Sequence, residues 1–179
     1  MPLPKDEELS AAPSASILAP GGLLDLFCGM GGLSAGFREA GYAPLAGVDS
    51  DARLAEAYGK NFPGAEVFVG DVTDRRLRDT LVERYGVGGS MLGQGEGQGE
   101  RRRLAAVVGG PPCVGLSAAN RNRSVDNPVN RLPFEFVELA AALGPDAIVM
   151  EQSHNLYTMR TAEGDTLADR LLGALRAAG

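Results

Sequence analysis

The sequence holds 179 residues, 44% hydrophobic and 22% charged, which is enough apolar material for one packed domain and too much for a disordered chain. Its 17 basic and 23 acidic residues leave a net charge of −6, which argues against a free-standing nucleic-acid binder held by electrostatics alone. Two cysteines are too few for a disulfide scaffold, no apolar run approaches the ~18 residues of a membrane span, and the start carries no secretory signal pattern, so a cytoplasmic setting is expected.

Residues 1–20 are rich in Pro, Ser and Ala with little periodicity and read as a flexible leader, with a single domain over 21–179. From there, short apolar runs alternate with amphipathic stretches. Strands are predicted at Leu23–Phe27, Ala43–Val48, Glu66–Val69, Leu104–Val108 and Ala147–Met150. Each run is nearly continuous rather than alternating, as expected of parallel strands covered on both faces. Helices are predicted at Leu33–Ala40, Ala52–Lys60, Arg75–Tyr85, Leu132–Leu143 and Thr166–Ala178, the last with Leu167, Leu171, Leu172 and Leu175 on one face. This repetition means βαβ units and an α/β, doubly wound, Rossmann-like sheet. Only 86–103 breaks the rhythm. Its Gly86–Gly99 part holds seven of the 25 glycines and runs into Arg101, Arg102 and Arg103, a low-complexity surface insertion.

Chemistry gathers at the strand ends. The first strand runs straight into Cys28-Gly29-Met30-Gly31-Gly32 and then a helix, a turn that lets backbone approach a ligand and leaves helix N–H groups facing it. Asp49 ends the second strand, about twenty residues on, where a carboxylate can accept hydrogen bonds from ribose hydroxyls. Asp71 follows the third strand on the same carboxyl edge. This set fits NAD, FAD or S-adenosylmethionine. Asp25, inside the first strand where a dinucleotide-binding protein would usually carry an apolar residue, tilts the choice toward the last, and Phe27 beside the turn offers a flat surface for adenine.

The fourth strand leads into Gly109-Gly110-Pro111-Pro112-Cys113. The proline pair forces extended geometry and stiffens the loop, holding Cys113 at the same edge. A free cysteine is usually a small buried apolar residue, and Cys28, tucked inside the glycine turn, is assigned that role. The rigid strand-end setting of Cys113 instead suits an exposed nucleophile.

The strings DLFCGMGGLSAGF, GVDSD, GDV, GGPPCVGLS and MEQSHNL stand in the order and spacing of motifs I, II, III, IV and VI of the cytosine-C5 DNA methyltransferases, and from Leu23 onward the chain resembles that family. The resemblance implies S-adenosylmethionine as cofactor, double-stranded DNA as partner, no metal, and transfer of a methyl group to cytosine C5 through a covalent cysteine adduct. Cys113 becomes the nucleophile and Glu151 the acid that protonates or hydrogen-bonds N3. Phe27, Gly29, Met30, Gly32, Asp49, Ser50, Asp71, Val72, Pro112 and Leu132 would line the cofactor site, with Gly110 near the cofactor or base. Ser117, Arg121 and Arg123 would meet the DNA backbone around an extruded cytosine; for the two arginines a plain solvated loop fits equally well. His154, the only histidine, is given no catalytic role. The family has Asn after the catalytic Glu where this chain has Gln152, a longer arm that puts efficiency in doubt.

The family also continues past its last helix into a sixth strand, an arginine-bearing motif and a target-recognition domain. None is found here, so the sheet is expected to be incomplete on its C-terminal side and the chain to act as a fragment or split subunit, nucleoid-associated through a partner half. In the family strand order 3-2-1-4-5, Ala147–Met150 becomes an exposed edge. A tRNA cytosine-C5 methyltransferase and a catalytically silent cofactor-binding module are the alternatives.

Overall fold

The computed structural model describes residues 21–90, 103–112, 115, 120–121, 124 and 127–177. Its five strands are β1 (Gly22–Leu26), β2 (Ala43–Asp49), β3 (Glu66–Val69), β4 (Leu104–Gly109) and β5 (Ala147–Met150). All pair in parallel in one sheet, in the order β3-β2-β1-β4-β5. The order reverses between β1 and β4, which places a crevice over their carboxyl ends, where open α/β sheets take ligands.

Six helices join the strands: α1 (Gly32–Glu39), α2 (Ala52–Asn61), α3 (Arg75–Tyr85), α4 (Leu132–Leu143), α5 (Asn155–Thr158) and α6 (Leu167–Ala177). Asp51 caps α2 by accepting from the Arg53 amide at 2.9 Å, and Asp74 caps α3 by accepting from the Arg76 amide at 2.8 Å. Asp51 thereby satisfies one helix-start N–H, and Asp74, which also accepts from the Leu77 amide at 3.3 Å, satisfies two. The core lies largely between the sheet and α3, α4 and α6, with Leu24, Leu26, Val107, Phe136, Leu139 and Leu143 fully buried. No described helix is long and apolar enough to cross a membrane.

The strands β1 and β4 are buried along their whole length, as continuous apolar runs require. The two outer strands depart from the expectation that every strand is covered on both faces. In the two edge strands β3 and β5, Val67, Val69 and Val149 are exposed, so one face of each strand is left without full cover. Likewise Leu172 does not share the buried face of α6 with Leu167 and Leu171 but is 44% exposed. The short helix α5 and a 3-10 turn at Pro128–Arg131 have no counterpart among the predicted elements. Of the glycine-rich insertion, 91–102 lie outside the described residues, as do Cys113, Ser117 and Arg123 of the candidate site.

Candidate active site

The predicted first strand ends one residue early. Phe27 leaves it with φ 61°, the only described non-glycine residue in the left-handed region. A bulky residue there is strained by about 1–3 kcal/mol, and such outliers concentrate at ligand sites. The chain then turns sharply and is tied to β2 twice. The Cys28 amide donates to the Val48 carbonyl at 3.0 Å, and the Gly29 amide donates to Asp49 Oδ2 at 2.9 Å. Gly29 itself has φ 53°, open to it without a Cβ clash. Asp49 Oδ1 accepts from the Asp51 amide, also at 2.9 Å. Both carboxylate oxygens are thus fixed by backbone amides, and each keeps a lone pair for a further donor.

Beside this pair opens a cleft of about 330 Å³, mouth included, lined by Phe27, Val48, Asp49, Ser50, Gly70, Asp71, Val72, Pro112 and Leu132. Seven of the ten predicted cofactor residues therefore converge. Phe27, Val72, Pro112 and Leu132 provide apolar surface on which a flat heterocycle can lie, and the carboxylates stand at its rim. Asp71 Oδ1 accepts from both the amide and the hydroxyl of Thr73 at 2.8 Å, and these hydrogen bonds hold its carboxyl below the usual range, so it stays ionised. Gly29, Met30 and Gly32 lie on the adjoining turn rather than in this cleft; the Met30 side chain is 63% exposed. Val48 and Gly70 also line it and were not singled out from sequence, although each directly precedes a predicted carboxylate position.

Beneath the turn lies a buried polar group. Asp25, 1% exposed, accepts from Ser34 Oγ at 2.7 Å, and that hydroxyl in turn lies 2.9 Å from the Tyr58 hydroxyl. Asp25 Oδ1 has no hydrogen-bond partner among the described residues. Burial pushes the Asp25 carboxyl up to about 6. Cys28 is buried beside it, and burial, then the carboxylates of Asp25 and Asp49, push its thiol upward. A thiol kept protonated is no nucleophile, in keeping with its assignment as a packing residue.

At the other end of the edge, β4 and β5 bring the loop ahead of Cys113 against the candidate acid. The Glu151 amide donates to the Gly109 carbonyl at 2.9 Å, one step past the β4–β5 ladder. Glu151 is exposed, and its Oε2 stands 3.3 Å from where a methyl on Gly110 would lie. Gln152 Nε2 donates to the Pro111 carbonyl at 2.6 Å. Pro112, the next residue, lines the cleft. The segment that precedes Cys113 in sequence is therefore held by β5 and reaches the cleft. Arg121 is exposed on a turn, and His154 stands at the start of α5 without a side-chain capping hydrogen bond, its ring 6.3 Å from that of Tyr157.

A second groove, larger at about 760 Å³ with its mouth included, lies on the open side of β5, between α4, α5 and α6. Ile148, Met150, Leu156, Leu171 and Leu172 line it, and Gln152 forms part of its wall.

An open parallel sheet with this crossover, and a glycine turn tied to the carboxylate at the end of β2, defines an α/β protein of the Rossmann-like class. The solved structures agree: a protein from an E. coli prophage described as a DNA modification methyltransferase superposes with TM-score 0.62 at 21% identity, over 87% of this chain and 38% of that one. The DNMT2 of Spodoptera frugiperda superposes with TM-score 0.56 at 15% identity. The chain belongs to the C-5 cytosine-specific DNA methylase family, whose model matches residues 22–171. It is 34% identical over 137 residues to the type II methyltransferase M1.HphI of Haemophilus parahaemolyticus, covering 75% of this chain and 33% of the relative. To M.DdeI of Desulfomicrobium norvegicum it is 29% identical, covering 82% and 31%. The chain thus spans about a third of the length of these relatives.

Proposed function

We propose that the chain carries the cofactor site and the nucleophile of a DNA cytosine-C5 methyltransferase using S-adenosylmethionine. The observation that carries this reading is the approach of Glu151 to the Gly110–Pro112 segment, with Pro112 also lining the cleft. The cleft suits the adenosine part of the cofactor: apolar surfaces for the ring, Asp49 for the ribose hydroxyls, and an adjoining glycine turn whose backbone lies open. When bound, S-adenosylmethionine supplies an electrophilic methyl group.

Cytosine C5 is too poor a nucleophile to take that methyl unaided. Attack of the Cys113 thiolate on C6 makes C5 enamine-like, and Glu151 supplies the proton or hydrogen bond that N3 needs as the ring gains electrons. Once C5 carries the methyl, a base takes the C5 proton, the C6–S bond breaks with the cysteine leaving as thiolate, and the ring is restored. Both steps need a soft, reversible nucleophile, hence cysteine. A duplex hides C6 within the stack, so the cytosine must be turned out toward Cys113, and contact with the surrounding backbone is assigned to Ser117, Arg121 and Arg123.

Target recognition is assigned to a further polypeptide segment, in the same chain or a separate one. Its support is the bare outer side of β5, which pairs only with β4 among the described strands, and the apolar groove behind it. The protein then acts at the nucleoid in the cytoplasm.

The test is trapping on a duplex containing 5-fluorocytosine with S-adenosylmethionine, using this chain alone and with the polypeptide encoded directly downstream. The fluorinated base has no C5 proton to lose, so a working Cys113 stays attached. Adduct is expected with the downstream polypeptide and none for Cys113→Ser. Adduct on tRNA but not DNA would reassign the substrate. No adduct under any condition would leave a cofactor-binding module without the transfer activity.

A further inference from the structure

We infer that Asn61, the last residue of α2, is a positioning residue for the glycine turn, bracing it from outside the cleft; this rests on the reading that the turn serves S-adenosylmethionine. The turn needs such support. Phe27, Gly29 and Gly31 all have positive φ, so one of the three is strained and two are residues that lose most freedom on becoming ordered. On its inner side, hydrogen bonds to Val48 and Asp49 fix Cys28 and Gly29. The outer side is held differently. Asn61 Nδ2 donates to the Met30 carbonyl at 2.9 Å across 31 residues of sequence.

Asn61 is itself held in place. Arg38 of α1 donates through Nη1 to the Asn61 carbonyl at 3.2 Å, and its guanidinium lies 4.7 Å from the Phe62 ring centroid. Phe62 in turn packs so closely under Gly31 that a methyl there would overlap its ring. The two helices flanking the turn are joined through this cluster, and the Met30 carbonyl is where it grips the loop. Because the Met30 side chain is largely exposed, it offers no comparable anchor. The chemistry of the contact is selective: a carbonyl oxygen only accepts, so the partner must present an N–H or O–H, and a carboxylate in its place would repel it.

The experiment compares wild type, Asn61→Ala, Asn61→Asp and Asn61→Gln by calorimetric titration with S-adenosylmethionine, thermal unfolding, and amide hydrogen exchange across Gly29–Gly32. We expect Asn61→Ala to raise Kd about fivefold and Asn61→Asp about tenfold, the scale of one lost hydrogen bond and of a misplaced charge. Asn61→Gln, which keeps the donor, should recover part of the affinity. Exchange at the turn should quicken in the Ala and Asp variants, while the thermal midpoint falls by no more than a few degrees, as an exposed contact requires. Lys60→Ala, one residue away and paired with Glu56 on the surface, should match wild type. Wild-type Kd and exchange in Asn61→Ala would overturn the brace, and so would a loss of affinity that merely tracks a large loss of stability. Quickened exchange in a protein whose wild type binds no S-adenosylmethionine would overturn the cofactor reading instead.

Discussion

The amide of Gln152 and the carbonyl of Pro111 meet at 2.6 Å, joining the end of β5 to the loop that leads into Cys113. In the family pattern an Asn stands at this position, and the longer Gln looks, on paper, like a defect. In this chain the longer arm carries the amide to Pro111, and Gln152 Oε1 accepts from the Ser153 amide at 3.3 Å. Gln152→Ala should therefore slow adduct formation on 5-fluorocytosine DNA about tenfold or more, with S-adenosylmethionine affinity unchanged, since misplacement of a reacting group acts on the chemical step. Gln152→Asn, too short for the same contact on this backbone, should resemble the alanine variant. Wild-type adduct rates in both would show that Pro111 needs no such tether.

Asp49 has a double duty, fixing Gly29 and Asp51 through its two oxygens while facing the cleft. Asp49→Ala should weaken S-adenosylmethionine binding by about 10- to 100-fold, the range for hydrogen bonds to a charged group. Asp49→Asn should fall between this and wild type, because its single amide oxygen can replace one acceptor position but its NH2 must face a backbone donor. Titration calorimetry reads both, and equal affinity in all three proteins would remove Asp49 from the site.

Asp25 predicts a pH dependence. Its carboxyl is raised to about 6 by burial, then lowered in part by Ser34, with Asp49 adding a smaller upward push; Tyr58 stands behind Ser34, and the Cys28 thiol is close by. A carboxyl raised in the fold binds its proton more tightly there than in the unfolded chain. Its contribution to stability is therefore fully present below the ordinary carboxyl value, 3.8, and is lost as pH rises through about 6. Asp25→Asn, which cannot ionise, should lack that loss. Urea unfolding from about pH 4 to about pH 8 should show the variant gaining on wild type until about pH 6 and holding a constant advantage above it. A difference that does not vary with pH would mean that Asp25 is not the group responsible.

Much of this was legible in the sequence. The bounds of β3, α3, α4 and β5 are those predicted, because each is a single run with one period, flanked by Gly, Pro or Asp. Asp49, Asp71 and Pro112 line one cleft because the open sheet dictates where its carboxyl edge lies. Other features have no local signal. Phe27 leaves β1 through its backbone angle, while its side chain reads as one more apolar strand residue. One turn of helix at Asn155–Thr158 is too short to show a period. Asp25, Ser34 and Tyr58 belong to three different elements, and Asn61 reaches Met30 across a whole βα unit. The sequence pattern says which face is apolar but not which polar atoms meet once the faces close.

Two adjacent leucines of α6 separate folding from docking. Leu171 is 3% exposed and belongs to the core, whereas Leu172 is 44% exposed on the wall of the groove beside β5, near Tyr157, which is 62% exposed. Leu171→Ala should cost about 2–4 kcal/mol by opening a cavity that the sheet cannot fill. Leu172→Ala removes atoms that already face water, so its effect on unfolding should stay within about 0.5 kcal/mol. If a further segment covers this groove, Leu172→Ala should instead weaken association with it, by about five- to tenfold for a truncated apolar side chain at an interface. Urea unfolding of the chain alone and titration with the downstream polypeptide give the two readings. Destabilisation by Leu172→Ala as large as that by Leu171→Ala would make the groove part of the domain's own core, and unchanged association would move the docking surface elsewhere.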